Sequence, residues 1–206
     1  KLSNDDKFSK RLSDFLNLFR QNQAVFFDID TSNNIPTAAG LASSASGFAA
    51  IVMALNELFE WQLSDKALSI LARMGSGSAC RSFWPGFVEW HGGAQEDGLD
   101  SFAKPLDDKW PDLCIGLLIF ETGEKPHSST QAMLNCAKTS PSFKEWPAQH
   151  ANDLNEFKEA LDKKNFTLLG EVSERNAQAM HQTIIDSQPS INYSTKETTR
   201  LKEKVW

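Results

Sequence analysis

The sequence has little cysteine and lacks any apolar run long enough to cross a bilayer, and each shortage excludes a class of protein. Its 206 residues include three cysteines, Cys80, Cys114 and Cys136, an odd number without metal-type spacing. This cysteine usage predicts reduced thiols and a cytoplasmic location. A net charge of −6 argues against general binding to nucleic acid or to an anionic membrane, so an anion site must be local. Residues 1–20 are charged and amphipathic, unlike a secretory signal peptide.

The length allows one large domain or two small ones, each with a buried core. The segment 107–111 marks the predicted boundary, because a mixed first part with helices and strands gives way there to a second part rich in helix. We therefore predict a first domain over residues 1–110 and a second over residues 111–206.

Hydrophobic periodicity predicts most of the secondary structure. Helices are expected over residues 9–20, 44–60, 64–74, 128–138, 148–162 and 166–186, with a terminal helix from about residue 194. Strands are expected over residues 25–31, 86–91, 101–106 and 113–120, the last of them fully buried because it is apolar throughout.

A glycine-containing loop opens directly onto the second predicted helix. From Asn33 it reads Asn-Asn-Ile-Pro-Thr-Ala-Ala-Gly-Leu-Ala-Ser-Ser. Small side chains let backbone N–H groups approach a phosphate, and the helix N-terminus adds partial positive charge. From composition alone, an anion site and a tight packing turn are equally plausible. The loop is neither a Walker A motif, since no lysine follows the glycine, nor a dinucleotide fingerprint.

A second small-residue loop reads Met-Gly-Ser-Gly-Ser-Ala-Cys-Arg-Ser and runs from Met74 to Ser82. Taken alone, a capped helix end explains it best. Two hydroxyls beside a single guanidinium also suit an anionic ligand that requires forked recognition. We do not expect Cys80 to be a nucleophile, because no histidine is near it in the sequence.

A third segment, beginning at Ser128, reads Ser-Ser-Thr-Gln-Ala-Met and is an ordinary helix N-cap that a diphosphate would also suit. The histidines show no ligand spacing and are expected to be structural or exposed; they are His91, His127, His150 and His181.

Together these motifs resemble the GHMP kinase superfamily, and within it the diphosphomevalonate decarboxylases. The family's phosphate motif reads Pro-x-x-x-Gly-Leu-Gly-Ser-Ser, so Ala42 stands where the second glycine is usual, and Ala132 replaces a glycine of the third segment. The resemblance implies that Ser44 and Arg81 are catalytic. The ATP-binding residues that it implies are Pro36, Thr37, Ala38, Ala39, Gly40, Leu41, Ala42, Ser43 and Ser44. The implied substrate-binding residues are Ser76, Gly77, Ser78, Ala79, Cys80, Arg81, Ser129 and Thr130.

The same resemblance implies an α+β fold with two incomplete lobes, one like the second domain of ribosomal protein S5 and one ferredoxin-like, with the cleft between them. It implies ATP and Mg²⁺ as cofactors, a homodimer, and mevalonate diphosphate as substrate, which would be phosphorylated and decarboxylated to isopentenyl diphosphate. It assigns no metal-ligating residue. Two other functions stay open: a GHMP small-molecule kinase or phosphomevalonate-type decarboxylase, and an inactive fragment that only binds nucleotide.

Two segments typical of the family are not found in these residues: an N-terminal one with a substrate-contacting Lys and Tyr, and a C-terminal Asp-Ala-Gly-Pro-Asn. We therefore expect that residues 1–206 alone do not catalyse the reaction.

Overall fold

The computed structural model describes residues 6–20, 25–34, 42–107, 109–118 and 129–205, and the chain divides into two compact units, residues 1–107 and 108–206. Within the described part, no helix has both the length and the apolar character needed to cross a membrane.

In its described residues, unit 1 contains three helices, a short 3-10 helix and a two-stranded sheet. Their bounds in chain order are α1 Asp6–Asn17, α2 Ser43–Leu58, α3 Asp65–Gly75, the 3-10 helix Gly77–Arg81, β1 Val88–Trp90 and β2 Ala103–Pro105. The strands are antiparallel, with Glu89 opposite Lys104. These elements confirm the predicted helices and the strand pair, although the strands are shorter than expected.

The core of unit 1 forms where the apolar stripes of α1, α2 and α3 meet. The buried side chains at its centre are Leu12, Phe15, Leu16, Phe48, Ile51, Val52, Leu55, Leu68 and Ala72. Phe15 and Phe48 meet edge to face with 5.1 Å between ring centroids, a favoured aromatic geometry. Ser64 begins α3 as predicted, since its hydroxyl accepts the Ala67 N–H.

Unit 2 is helical in its described residues. It contains α4 Ser129–Thr139, a 3-10 helix Ser142–Lys144, α5 Trp146–Asp162, α6 Phe166–Ile185 and α7 Lys196–Val205. Helices α5 and α6 form an antiparallel pair that buries Ala160, Leu161, Leu169 and Val172. The buried carboxylate of Asp153 binds Arg175 across this pair at 2.8 Å. The four helices agree with those predicted.

Two predicted strands are wrong. Residues 25–31 are irregular, although their exposure does alternate, and residues 113–118 are also irregular. The second segment is not buried either: Ile115 is 83% exposed and Leu118 is 68% exposed. A strand needs a hydrogen-bonded neighbour, and within the described ranges neither segment has one. Residues 119 and 120 lie outside the described residues.

The end of α3 approaches α2 so closely that residue 75 must lack a side chain. A Cβ built on Gly75 would lie 2.1 Å from Cδ1 of Phe48. We predict that Gly75→Ala lowers the free energy of unfolding by about 1–3 kcal/mol through overpacking, as measured by urea denaturation.

The matched control for Gly75→Ala is Gly47→Ala, inside α2. A Cβ at Gly47 meets no atom within 4 Å, so the helix should gain about 0.5–1 kcal/mol. Equal effects of the two substitutions would contradict the packing argument.

The loop between the strands is organised by Asp100, whose carboxylate accepts the N–H groups of Ala94 at 2.6 Å and Gln95 at 3.1 Å. The hydrogen bond from Ala94, followed by that from Gln95, lowers the pKa of Asp100 below its ordinary value. A depressed pKa in the folded state stabilises the fold above the unfolded-state pKa of about 4. That contribution is lost as the pH falls through the folded-state pKa.

We therefore predict that Asp100→Asn lowers stability at pH 7 and flattens the dependence of stability on pH below about pH 4. Urea midpoints measured at pH 7, 4 and 3 test this. Asp107→Asn removes an exposed carboxylate nearby and is the control; an unchanged slope in Asp100→Asn would refute the assignment.

Candidate functional site

The glycine-containing loop that begins at Asn33 is described where it joins α2. Ala42 precedes the helix in the left-handed conformation, with φ 52° and ψ 35°, and its carbonyl accepts the Ala45 N–H at 2.8 Å. This conformation costs an L-residue about 1–2 kcal/mol, and glycine avoids the cost. The backbone geometry thus explains why the family usually has glycine here. Six predicted ATP-binding residues lie outside the described residues: Pro36, Thr37, Ala38, Ala39, Gly40 and Leu41.

Ser43 and Ser44 form the first turn of α2, and both are partly exposed. The described α2 residues supply no side-chain hydrogen bond that caps this helix N-terminus. Backbone N–H groups in a first turn lack partners within the helix, so this end suits an anion.

The serine-arginine turn, residues 76–81, follows Gly75 immediately. It consists of Ser76 in extended conformation and the 3-10 helix Gly77–Arg81. The hydroxyl oxygens of Ser44 and Ser76 lie 3.4 Å apart, so the two loops that the sequence singled out meet in the structure. This contact is the central geometric feature of the candidate site.

Arg81 ends the turn with an exposed side chain. Among the described residues it forms no ion pair or side-chain hydrogen bond, so its guanidinium is available to a ligand. The other arginines beside the turn are engaged. Arg73 donates to the carbonyls of Ser101 at 3.1 Å and Gly98 at 3.0 Å, and Arg11 donates to the carbonyl of Gly75.

Within the turn, Gly77 and Ser78 are partly exposed, whereas Ala79 and Cys80 are fully buried. Burial raises the pKa of the Cys80 thiol, partly opposed by the positive charges of Arg81 and Arg73. A buried, protonated thiol is a poor nucleophile. Any contact of Ala79 or Cys80 with a ligand would therefore use the backbone.

The third predicted segment lies in unit 2. Ser129 and Thr130 are exposed and form the first turn of α4, while Ser128 lies outside the described residues. Ala132, at the position where the family usually has glycine, is fully buried.

The structure also shows polar residues that sequence reasoning missed. Ser69 and Arg73, both on α3, hydrogen-bond to the backbone around the serine-arginine turn and the sheet. Ser69 lies between Leu68 and Ala72 on the buried stripe of α3. A hydroxyl on an apolar stripe indicates a buried hydrogen bond, so the sequence pattern could have identified Ser69.

No cluster of three or more His, Cys, Asp or Glu able to hold a metal occurs in the described ranges. His91 faces Glu89 at 3.8 Å, and His150 contacts Asn176 at 3.2 Å. His127 lies outside the described residues.

Known proteins are similar to this chain in sequence. The chain matches the diphosphomevalonate decarboxylase-like N-terminal domain over residues 1–103 and the mevalonate 5-diphosphate decarboxylase C-terminal domain over residues 115–205. The diphosphomevalonate decarboxylase of Gibberella zeae is 42% identical over 172 residues, which is 80% of this chain and 44% of that protein. The enzyme of Saccharomyces cerevisiae is 39% identical over 177 residues, with coverages of 84% and 44%. The chain thus spans less than half the length of these curated relatives.

Solved structures give the same result. A complex of MDDEF with MVAPP, AMPPCP and magnesium is similar with a TM-score of 0.85 and 35% identity, covering 98% of this chain and 62% of that one. This likeness confirms the predicted α+β fold of the GHMP kinase type. Because two domains match in chain order and more than a third of the residues are identical to named relatives, the chain belongs to the diphosphomevalonate decarboxylase family.

Proposed function

We propose that this chain carries the nucleotide-phosphate and substrate loops of an ATP-dependent diphosphomevalonate decarboxylase. The observation that carries the proposal is the 3.4 Å approach of the Ser44 and Ser76 hydroxyls. It brings an anion-binding helix N-terminus and a serine-rich turn with an available arginine into one place. The likeness to a complex with MVAPP, AMPPCP and magnesium supports it.

In the proposed reaction, the tertiary 3-hydroxyl oxygen of mevalonate diphosphate takes the γ-phosphoryl group of ATP, the hydroxyl proton is released, and ADP leaves with the electrons of the broken P–O bond. The C3–O bond then breaks and releases phosphate, while the bond to the carboxylate breaks and releases CO2. Its electron pair forms the double bond of isopentenyl diphosphate. Phosphorylation is needed because a tertiary hydroxyl is a poor leaving group.

The described residues would act chiefly by positioning charge. Arg81 would hold the carboxylate through forked hydrogen bonds, while the N-terminus of α2 and the Ser44 hydroxyl would face the transferring phosphoryl group. Ser129 and Thr130 would contribute hydroxyls to the diphosphate. Ser43 and Ser44 offer the hydroxyl oxygen ligands that suit Mg²⁺, which we expect to arrive with ATP and to neutralise phosphate charge.

The alternatives are separated by their products, because a mevalonate 3-kinase releases ADP without CO2 and a nucleotide-binding fragment releases neither. The experiment is to supply ATP, Mg²⁺ and carboxyl-labelled mevalonate diphosphate to the protein that carries this chain, and to measure labelled CO2 beside ADP. Equal amounts of the two products support the decarboxylase. ADP without CO2 indicates a kinase, and neither product indicates binding only. Repeating the assay with mevalonate monophosphate tests the phosphomevalonate-type enzyme.

We predict that Arg81→Ala lowers kcat/KM for mevalonate diphosphate about 100-fold to 1,000-fold, since it removes a charge-assisted forked contact at the reacting carboxylate. Arg81→Lys should recover only part of this loss, because an ammonium group cannot form the fork. CO2 release from labelled substrate is the measurement. Lys104→Ala, which removes an exposed cation from β2, is the control. A wild-type rate in Arg81→Ala would exclude this role.

A second prediction concerns Ser44, whose hydroxyl lies at the start of α2. We expect Ser44→Ala to lower kcat about 100-fold to 1,000-fold, in the range of losing one positioned hydrogen-bonding group near the transferring phosphoryl. ADP release under saturating ATP measures it. Ser46→Ala removes an exposed hydroxyl that bonds the Ser43 carbonyl at 3.1 Å, and it should have little effect. Equal losses in both variants would indicate damage to the helix rather than loss of a ligand contact.

A further inference from the structure

One buried hydroxyl links the serine-arginine turn to both α3 and β2. Ser69, on α3, is 0% exposed. Its Oγ donates to the carbonyl of Cys80 at 3.0 Å and accepts the N–H of Ala103 at 2.9 Å. A single side chain therefore connects α3, the turn and β2.

The acceptor of this hydrogen bond belongs to the peptide group that carries Arg81. The Cys80 carbonyl, the Arg81 nitrogen and the Arg81 Cα lie in one rigid plane, because the peptide bond does not rotate freely. Fixing that carbonyl therefore fixes the direction in which the backbone enters Arg81. Both partners of the Ser69 hydroxyl are backbone groups, so the hydrogen bonds act directly on the backbone of the turn and of β2.

The start of the turn is packed against β1. A Cβ on Gly77 would lie 3.0 Å from the Trp90 ring, and the indole N–H of Trp90 donates to the Ser101 hydroxyl at 3.1 Å. Arg73 in turn binds the Ser101 carbonyl. The start of the turn thus packs on Trp90, and its end is buried at Ala79 and Cys80, where the Ser69 hydroxyl adds a directional hydrogen bond next to Arg81.

We propose that Ser69 is a positioning residue that acts on the substrate carboxylate through Arg81. The inference rests on the function proposed above and adds a residue that does not touch substrate. Its hydroxyl holds the end of the turn against β2, so that the guanidinium of Arg81 is aimed before the substrate binds. Such preorganisation matters because displacing a binding group by about 1 Å can cost about 100-fold in rate.

The test compares Ser69→Ala with Ser187→Ala in the protein that carries this chain. Ser187 is a matched control: it is 1% exposed in unit 2, donates to the Ile184 carbonyl and accepts from Asn135. We expect both variants to lower the melting temperature. Only Ser69→Ala should raise KM for mevalonate diphosphate, about tenfold, while KM for ATP stays within about twofold. Equal changes in the two KM values, or none in either, would overturn the proposal.

A double-mutant cycle separates positioning from general damage. In an Arg81→Ala background, Ser69→Ala should have no further effect on kcat/KM, because the group that it aims is gone. Losses that multiply independently would contradict the proposal. If Ser69→Ala does not fold, Ser69→Cys keeps the size of the side chain while weakening both hydrogen bonds, and the same criteria apply.

A measurement without substrate distinguishes failure of this inference from failure of the proposed function. Cys80 is buried, whereas Cys114 is exposed, so iodoacetamide labelling of Cys80 relative to Cys114 reports opening of the turn. The ratio should rise at least about fivefold in Ser69→Ala and not in Ser187→Ala. If the ratio rises but the wild type releases no CO2, Ser69 does hold the turn and the decarboxylase proposal is refuted. If the wild type decarboxylates but the ratio is unchanged in Ser69→Ala, the positioning role of Ser69 is refuted.

Discussion

The close approach of helices α2 and α3 is the constraint on which the candidate site depends. At Gly75 the chain carries no side chain, and the Phe48 ring occupies the space that a Cβ would take. Only because α3 ends against this ring can the next residue, Ser76, reach the first turn of α2 and place its hydroxyl near that of Ser44. The core contact and the site geometry are therefore two results of one packing arrangement. A larger residue at position 75 would separate the two loops as well as disturb the core.

The positions of the candidate ligand groups follow from short segments, which is why the sequence predicts them well. Loop composition next to a strongly periodic helix identifies the start of α2, and the Gly-Ser-Gly-Ser-Ala-Cys-Arg sequence identifies the serine-arginine turn. The sequence alone does not predict that these two segments lie close together, because two helices separate residues 44 and 76 along the chain. The roles of Ser69 and Arg73 are harder still to predict. Their partners are backbone groups that the fold brings near, and every residue has such groups, so the sequence does not indicate which ones will be bonded.

The two wrongly predicted strands show that local composition is not enough to predict a strand. Residues 25–31 and 113–118 have the composition of strands, yet strand structure is a property of pairs, because each ladder hydrogen bond requires a neighbouring chain. Alternating exposure persists in the first segment, with Phe27 and Ile29 packed at the margin of the core and Phe26 85% exposed. Apolar alternation thus determines which side chains face inward without determining the backbone pairing. Helices α2 and α6 satisfy their own hydrogen bonds, and their prediction needed no partner.

The distribution of positive charge in unit 1 explains why one arginine is the ligand candidate. Arg11 packs on the Phe48 ring at 5.1 Å and donates to the Gly75 carbonyl, and burial lowers its pKa. Arg73 donates to two backbone carbonyls of the inter-strand loop. Both guanidinium groups thus stabilise backbone that holds the site in place. Arg81 differs because its backbone is fixed while its side chain is exposed. A cation with a fixed base and no partner in the described chain can bind an incoming carboxylate without first breaking an interaction, so less of the binding energy is lost in reorganisation.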